Sequence, residues 1–506
     1  MNRAVVFLLC ALAVTGFAKY DVTHSTGAWN SWEDVHTLSN SIVSVKLVPQ
    51  IGGRIMEFAV GGNTPYWINE DLLGQTFPDD FPESWKDQKK FGGTVCWPMP
   101  QDWPWPPAPR LDHGIYTVEM GPTSAESTVV VLTSPVEEDW NRTPGLQLKR
   151  EVTLFKASSR VRIKHELLNK SGFPVDRGVR MVHQVPQSNC TNHTVYFERG
   201  TSTSDDTLGY TSLDDNADKA AQQFTLDEQT GIVTFNCMDL GSKIGAYSPG
   251  GWNAYVSNSD GFALITYSEV SEPSDSFPDE GSNIIIWSGG ANADYCEVEM
   301  QGPPAEIAND ESIEWMTDIY RTRVDGPILD VTRAGVVTEP LEVSGTGVTG
   351  KFGVFYAGRV DLVLSPGDHV AQSWDVTPVE PLEVNRAEAP TAGTNHAALL
   401  LYDSDGAFVD TLDTKDYASL GIGNVDGAAG KSALRAVHRS GMLTVSTPYA
   451  AHRVTVYSLG GRAVARFSGS GSGSHSYWFG TLGLGSYICR VLSGKRWLTK
   501  SIVIDK

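Results

Sequence analysis

Hydrophobic and polar positions alternate in short runs along most of the chain. The clearest runs are SIVSVKLVP (41–49), STVVVLT (127–133), QLKREVTLF (147–155), RVRIKHELL (160–168), RGVRMVHQV (177–185), GFALITYS (261–268), NIIIWSG (283–289) and CEVEMQ (296–301). A period of two places successive side chains on opposite faces of a strand, and Gly, Pro, Asn, Asp or Ser bounds each run. Because no long 3.6-residue pattern occurs and strands do not alternate with helices, the sequence predicts an all-β protein built around a large antiparallel sandwich.

The length of the chain predicts several domains. With 506 residues it exceeds the roughly 250–300 residues at which single hydrophobic cores stop growing. Near residue 325 the alternating runs become shorter, and the pentapeptide EPLEV occurs twice, at 339–343 and 380–384. We predict a large β-sandwich over 19–325, a small β-sandwich over 326–415, a linker over 416–433 and a third β-sandwich over 434–506.

The first 18 residues, MNRAVVFLLCALAVTGFA, have the composition of a secretory signal peptide. Arg3 supplies the basic start, residues 4–14 are apolar, and Gly16-Phe17-Ala18 is a small-x-small cleavage site. The apolar stretch is too short for a stable membrane span, and no other run approaches the required length. The sequence therefore predicts an exported protein without a transmembrane segment, either secreted or attached to the cell surface.

Charge and cysteine usage narrow the classes of partner. A net charge of −21 argues against nucleic acid and anionic membranes, and it favours neutral sugars over sulfated or uronate-rich ones. Five cysteines outside the signal peptide are too few for a disulfide scaffold, although Cys190 and Cys237 are candidates for one bridge. No CxxC, clustered His/Cys, P-loop, GxSxG or HExxH motif occurs, so we expect neither a metal nor another cofactor.

Tryptophan and proline are concentrated between Phe91 and Gly114. Three Trp and five Pro fall within the eleven residues WPMPQDWPWPP (97–107). Proline fixes φ and lacks a backbone donor, so we expect a rigid loop or edge segment, not a helix interior or a central strand. Trp faces beside Gln101, Asp102, Asp112 and His113 are suited to recognising polar rings, but the same segment could equally close one end of a sandwich as a hydrophobic plug.

Several segments together resemble the DUF4380 family of galactose-mutarotase-like proteins, over roughly residues 40–410. They are IGGRIMEF (51–58), WPMPQDWPWPP (97–107), LDHG (111–114), LLNKSGFPV (167–175), GGWNAY (250–255) and YCEVEMQGP (295–303). This resemblance implies that residues 19–325 form a β-supersandwich similar to that of aldose 1-epimerases, with a concave carbohydrate site.

The C-terminal segment resembles the sorting domains of type IX secretion systems. The matching stretches are VTVYSLGGRAV (454–464) and GLGSYICRVLSGKRWLTKSIVI (483–504). Ser458 stands where Asp or Asn is usual, and the opening Asn-Pro is missing. The resemblance implies an Ig-like β-sandwich that engages the secretion machinery of a bacterium with an outer membrane.

Mutarotation needs a base for the anomeric hydroxyl and an acid for the ring oxygen. The resemblance to mutarotase-like proteins implies that these two groups are a Glu on a late strand and a His from the middle of the chain. Here Glu297 and Glu299 are two apart and share a face, which opens either on a cleft or on solvent. We predict Glu299 as the base and His183, in RGVRMVHQV, as the acid; a core His satisfied by a backbone carbonyl is the alternative.

Other polar and aromatic residues are candidates for binding the sugar. Arg54 follows a Gly pair and could offer its guanidinium to hydroxyls or form a structural salt bridge. Trp252 is either a second stacking platform or plain core. The predicted substrate-binding residues are Arg54, Trp97, Gln101, Trp103, Trp105, Asp112, His113, Arg180 and Trp252.

Three functions are consistent with these patterns. The first is carbohydrate recognition with aldose-epimerase chemistry by Glu299 and His183. The second is a non-catalytic module that binds surface glycan through Trp97, Trp103 and Trp105. The third is a structural surface protein in which the Trp/Pro segment is only a plug.

Overall fold

The structure is a computed structural model of the chain, which divides into two compact units, residues 1–421 and 422–506. The described ranges of the first unit are 19–76, 89–138, 143–187, 193–200, 208–236, 238, 240–270, 272–324, 326–391 and 393–417. Those of the second are 435–439, 442–447, 451–458, 463–470, 473–478, 485–493 and 496–504. The predicted signal peptide and most of the predicted linker lie outside the described residues.

The first part of the chain is a succession of strands with a few short helical turns. The strands are β1 (Thr23–Trp29), β2 (Trp32–Ser39), β3 (Val43–Val48), β4 (Arg54–Val60), β5 (Gly93–Met99), β6 (Thr117–Thr123), β7 (Ser127–Thr133), β8 (Leu146–Phe155), β9 (Val161–Asn169), β10 (Val175–Pro186), β11 (His193–Glu198), β12 (Thr211–Ser212), β13 (Phe224–Asp227), β14 (Ile232–Asn236), β15 (Gly241–Ala246), β16 (Trp252–Ser257), β17 (Phe262–Tyr267), β18 (Ile284–Gly289), β19 (Tyr295–Gln301), β20 (Ala305–Ile307) and β21 (Ser312–Arg323). The α-helices are α1 (Pro109–Asp112), α2 (Ala217–Gln223) and α3 (Pro278–Gly281), and 3-10 turns cover Pro49–Ile51, Glu70–Leu72, Ser274–Ser276 and Gly290–Asn292.

Two large antiparallel sheets form this part. Within the described residues, the first sheet has the strand order β1-β2-β3-β4-β5-β10-β19-β18-β15-β12, with β20 added to β10. The second has the order β13-β14-β11-β16-β17-β21-β9-β8-β7-β6. Apolar side chains from both sheets, such as Val298 on β19 and Ile163 on β9, belong to one buried cluster. The alternation of small apolar and polar residues therefore produces a sandwich with one shared core.

The middle of the first sheet also has a second, polar face. Across the ladders, Val182 is opposite Glu299 and Gln184 is opposite Glu297. The intervening Val298 points into the shared core. Because side chains alternate in a strand, the glutamates face away from that core. We call this surface the polar face; its members on β5, β10, β15, β18 and β19 are Trp97, Arg180, Gln184, Lys243, Trp287, Tyr295, Glu297, Glu299 and Gln301.

A smaller sandwich follows in the same unit. Its strands are β22 (Asp330–Val331), β23 (Gly335–Ser344), β24 (Gly347–Val354), β25 (Gly358–Ser365), β26 (His369–Val376), β27 (Leu382–Arg386), β28 (His396–Asp403) and β29 (Phe408–Asp416). The described strands form two four-stranded sheets, β22-β23-β24-β27 and β26-β25-β28-β29, around their own core. A further apolar cluster, with Trp252 and Phe355 among its members, joins this sandwich to the second large sheet.

The C-terminal unit is also built from strands. They are β30 (Arg435–Arg439), β31 (Met442–Thr447), β32 (Ala451–Ser458), β33 (Ala463–Ser470), β34 (Gly473–Trp478), β35 (Gly485–Ser493) and β36 (Arg496–Ile504). Its described strands pair as β30-β31-β34 and β33-β32-β35-β36. Val445, Val454, Val456 and Val491 are among the residues of its core.

The predicted all-β class with several sandwiches is confirmed, while the exact domain boundaries stay predictions. Residues 97–99 belong to β5, which lies between β4 and β10, but at these positions β5 pairs with β10 alone, in agreement with the predicted edge segment. Proline is tolerated there because β4 pairs with β5 only at Ile55–Thr94, which leaves the β4 side of Pro98 without a ladder partner. Across the described ranges, no helix is long and apolar enough to cross a membrane.

Candidate functional site

Strand β19 places two carboxylates side by side on the polar face. Glu297 and Glu299 are only 6 % and 1 % exposed. Successive same-face Cβ atoms of a strand are roughly 7 Å apart, so the two carboxyl groups are neighbours. Two buried acids on one face are costly unless they are hydrogen-bonded, paired with a cation or partly protonated. We call Glu297 and Glu299 the carboxylate pair.

Arg180 on β10 is the cationic partner of Glu299. Its Nη1 lies 3.4 Å from Glu299 Oε2, although this oxygen accepts no hydrogen bond from the described residues. The guanidinium also donates to Gln301 Oε1 at 2.9 and 2.7 Å, to Gln101 Oε1 at 3.3 Å and to the carboxylate of Asp279. This dense set of bonds fixes Arg180 beside Glu299.

Within the part of the chain that the structure describes, Glu297 is held by an amide and forms no ion pair. Gln184 Nε2 donates to Glu297 Oε1 at 2.9 Å. Burial and the neighbouring charge of Glu299 raise the pKa of Glu297, with Lys243 acting in the opposite direction. Burial also raises the pKa of Glu299, although Arg180 and Lys243 partly offset the effect. The two acids therefore have different surroundings, and both titrate above the ordinary range of a glutamate.

A left-handed turn brings Asp279 to this group. Asp279 and Glu280 have φ values of 53° and 60°, and Gly281 continues the turn with a φ of 79°. Non-glycine residues in this region are strained by about 1–3 kcal/mol each and persist where surrounding contacts hold them. Asp279 Oδ2 accepts from both Arg180 and Gln301, so the turn is tied to the polar face.

Tryptophans of the Trp/Pro segment flank the carboxylate pair on one side. Trp97 and Trp103 pack with Val95 and Val182 in a small apolar cluster, and both rings are nearly buried. Trp105 is 53 % exposed and meets Trp97 edge-on, with 5.9 Å between ring centroids. We call these three Trp the tryptophan patch. Only Trp105 presents a large open surface in it.

A buried network lies behind Trp97. Asp112 accepts from Trp97 Nε1 at 2.8 Å and from Arg54 Nη2 at 3.0 Å through Oδ1, and from His113 Nδ1 at 3.0 Å through Oδ2. Burial would raise the pKa of Asp112, but Arg54, His113 and Trp97 together lower it. Arg54 thus forms a structural salt bridge, which was one of the two roles considered for it from the sequence. Through Asp112 it helps to hold Trp97 in position.

Gly52, two residues before Arg54, is required by close packing. Gly52 has a φ of 80°, and a Cβ there would lie 2.1 Å from the carbonyl oxygen of Asp112. Its N–H donates to Gly114 O at 2.8 Å. The GGR sequence therefore lets β4 approach the LDHG turn closely enough for Arg54 to reach Asp112.

A second aromatic cluster, which the sequence analysis missed, lies on the opposite side of the carboxylate pair. Trp67 stacks on Tyr295 at 4.7 Å and 26°, and Trp287 meets Tyr295 at 5.6 Å and 46°. Trp67 and Trp287 are half-buried. Tyr295 could have been found by extending the alternation that includes Glu297 and Glu299, whereas Trp287 lies on another strand and Trp67 lies in a loop.

His183 does not reach the carboxylate pair. It is opposite Val298 in the ladder, so it points into the shared core, where its Nδ1 bonds Thr94 Oγ1 at 2.8 Å and its ring stacks on Tyr66. Burial lowers its pKa to about 3. A neutral imidazole on the other side of the sheet is poorly placed to protonate a sugar on the polar face, so the pairing of His183 with Glu299 is corrected.

Trp252 is also remote from the polar face. It lies on β16 in the second large sheet and packs in the apolar cluster with Phe355. It is 2 % exposed, so it is a core residue and not a stacking platform. Gln101, in contrast, is at the site, since Arg180 and Lys243 both donate to its Oε1 at 3.3 Å.

A separate cleft of about 460 Å³ does not coincide with these groups. Its lining shares no residue with the carboxylate pair or its hydrogen-bond partners; it includes Val179, Glu272, Pro303, Pro304, Ile313 and Trp315. Val179 is on the core side of β10, next to Arg180 on the other face. The cleft therefore opens between the sheets and is not part of the polar face.

Among the described residues, neither cysteines nor clusters of metal-ligating side chains contribute to the site. Cys190 and Cys237 lie outside the described residues, and Cys96, Cys296 and Cys489 are buried free thiols. Among the described side chains, no group of three or more His, Cys, Asp or Glu could hold a metal ion.

Comparison with known proteins finds structural likeness only. No family model and no curated protein matches the chain. Similar solved structures include a protein of Synechocystis sp. PCC 6803, 12 % identical, covering 59 % of this chain and 99 % of that one at a TM-score of 0.39. A galactose mutarotase-like protein from Clostridium acetobutylicum is 11 % identical, with coverages of 60 % and 99 % and a TM-score of 0.38. A galactose mutarotase-like protein from Lactobacillus casei is 10 % identical, covers 57 % of this chain and 99 % of that one, and has a TM-score of 0.36.

Proposed function

We propose that the polar face binds a neutral carbohydrate and interconverts its anomers, with the carboxylate pair supplying both the acid and the base. The observation that carries the proposal is the position of Glu297 and Glu299 on one face of β19, beside Arg180 and the tryptophan patch. Aromatic faces cover the C–H surfaces of a sugar, while carboxylate and amide groups bond its hydroxyls.

The different surroundings of the two glutamates suggest a different role for each in the proposed reaction. Arg180 favours the ionised form of Glu299, so this residue is the base, as the sequence predicted. Glu297 forms no ion pair with a described residue, and burial together with the charge of Glu299 favours its protonated form, so we assign it as the acid. One acid and one base from two neighbouring carboxyls follow the general pattern of environments that push pKa values apart.

The chemical step balances without a cofactor. Glu299 takes the proton of the anomeric hydroxyl while Glu297 protonates the ring oxygen, and the bond between C1 and the ring oxygen breaks to form the open-chain aldehyde. Rotation about C1–C2 exposes the other face of the carbonyl. Return of the two protons as the ring closes gives the opposite anomer and restores both carboxyl groups.

The proposal includes export, supported by the composition of residues 1–18 and by the sorting-domain resemblance of the C-terminal segment. The protein would then be secreted or held at the outer surface of a bacterium, and the secretion machinery would be a partner. N-terminal sequencing of protein recovered outside the cell tests this part, because an exported chain begins after Ala18.

Polarimetry of freshly dissolved α-glucose and α-galactose tests the catalytic proposal. Glu297→Gln and Glu299→Gln should each reduce the acceleration about 10²–10⁴-fold, the usual contribution of a general acid or base. Glu119→Gln is the matched control, since Glu119 is exposed on β6 of the other sheet. Full acceleration in both site variants would refute the assigned roles.

A second candidate function is glycan binding without turnover. It is favoured by the near-complete burial of Glu299 and by its ion pair with Arg180, which are also properties of a structural acid. The same experiment separates the two. Wild-type protein that binds sugars in calorimetry but accelerates no anomer interconversion would establish the binding module.

A further inference from the structure

The carboxylate pair lies between two aromatic clusters, and only one of them belongs to the Trp/Pro segment. The tryptophan patch is on the β5 side, whereas Trp287 lies on β18 and Tyr295 on β19, and the loop residue Trp67 stacks on Tyr295. Both clusters have an accessible ring: Trp105 is 53 % exposed, and Trp67 and Trp287 are half-buried. A site for a single small ring has no need for a second platform.

The separation of the clusters follows from the strand registers. Trp97 is level with Arg180, whereas Trp287 is level with Glu297 and Gln184, four residues further along β10. Trp97 and Trp287 are also three strands apart in the order β5-β10-β19-β18. With a strand rise of about 3.3 Å and a strand spacing of about 4.8 Å, their Cα atoms are roughly 20 Å apart. On β19, Glu299 is the next same-face residue beyond the level of Trp97, and Glu297 is level with Trp287.

The second cluster is rigidly held. The N–H of Trp67 donates to Gln184 O at 3.0 Å, and Trp67 O accepts from the N–H of Gly93 at 3.0 Å. Its ring is then fixed against Tyr295. A loop residue pinned by backbone bonds to two strands of the site and presenting a partly open indole is pre-organised for contact with a ligand.

We propose that the site takes an extended neutral glycan of two or more sugar rings, with one end on Trp105 and the other on Trp67 and Trp287. This inference rests on the proposed function and adds its substrate class. The carboxylate pair then acts between two stacking positions. Lys243, which is level with Trp287 and donates to Gln101, supplies a hydroxyl-binding cation between them.

Calorimetry with glycan series of increasing length tests the inference. The probes are glucose, cellobiose, cellotriose and cellotetraose, and the corresponding maltose and xylose series. We expect affinity for one series to increase about tenfold or more from the monosaccharide to the trisaccharide, because the longer ligand also reaches the second stacking platform. Trp105→Ala and Trp287→Ala should each remove part of this gain, so that the ratio of trisaccharide to monosaccharide affinity falls in both variants.

Control variants distinguish the loss of an aromatic platform from the loss of the fold. Phe408→Ala removes an exposed aromatic ring of the small sandwich and should change nothing. Trp105→Ala removes a side chain that is half in solvent, so its fold should survive even where that of Trp287→Ala does not. Binding or turnover of monosaccharides with no gain from length would overturn the extended site alone. A gain that persists in both variants would do the same, whereas absence of any sugar binding would overturn the proposed function itself.

Discussion

Replacing Asp112 by Asn tests whether a charged network supports Trp97. The carboxylate is fully buried and accepts from Arg54, Trp97 and His113 at 2.8–3.0 Å. Asn keeps the shape but removes the charge, and it turns one acceptor into an NH₂ donor. At least one of the three donors then loses its partner, and the guanidinium of Arg54 loses its counter-ion.

The size of the effect follows from these contacts. A buried charge deprived of its partner costs about 3–5 kcal/mol, and a lost hydrogen bond to a charged group about 1.5–3 kcal/mol. The two figures overlap because they concern the same carboxylate, so we expect a loss of about 3–5 kcal/mol in the free energy of unfolding at neutral pH. This is a large part of the 5–15 kcal/mol that typically stabilises a folded domain.

The pH dependence provides an independent signature. The pKa of Asp112 is lower in the folded protein than its ordinary value, so its stabilisation is present above the unfolded pKa and is lost as pH falls through the folded one. Wild-type protein should therefore lose this stabilisation once the pH falls below about 4. Asp112→Asn should lack that component of the acid dependence, because it has already lost the charge.

Urea unfolding monitored by Trp fluorescence, repeated from neutral to acid pH, measures both effects. Asp102→Asn is the matched control in the same segment, since Asp102 is largely exposed and its bond to Arg177 at 3.0 Å contributes at most about 1 kcal/mol. If Asp112→Asn were as mild as Asp102→Asn, or kept the full acid dependence, the ion-paired network would not be the support of Trp97.

Three further predictions concern the corrected residues and Arg180. His183→Gln should leave anomer interconversion unchanged in polarimetry and cost about 1–3 kcal/mol in urea unfolding, because the buried hydroxyl of Thr94 loses its partner. Trp252→Ala should cost about 3–5 kcal/mol through the cavity it creates, with no change in glycan affinity by calorimetry. Arg180→Gln should move the acid limb of the pH–rate profile to higher pH, because Arg180 lowers the pKa of the base Glu299; an unchanged limb would contradict the assignment.

Strand positions were largely predictable because period two is a local property. The run 127–133 is β7 without change, and 177–185 lies within Val175–Pro186. The Trp/Pro run indicated a loop or edge segment, but it did not show that Trp97–Met99 continue strand β5. Pro98 lies in a strand whose β4 side is unpaired at that position, and pairing between distant strands is not visible in a local pattern.

The site was predictable only in part, since contacts between remote segments decided the roles of its residues. Arg180, Gln101 and Glu299 were each predicted as site residues, and in the structure Arg180 contacts both of the others, while their roles toward a sugar stay predictions. Asp279 was missed because its contact with Arg180 depends on a left-handed turn. Lys243 was missed because β15 reaches β19 only through β18, an order that no sequence pattern encodes.

Alternation tells which residues of a strand share a face, but not which face is the core. In β10 it correctly separated His183 and Met181 from Arg180 and Gln184, yet either set could have faced the sugar. The neighbouring strand resolves this: Glu299 and Glu297 pair with the Arg180 set, and burying two carboxylates in the shared core would cost far more than burying one neutral imidazole. The same cost explains why Glu297 and Glu299 both lie on the face that carries Arg180 and Gln184, since the guanidinium and the amide offset the cost of burying the two carboxyl groups.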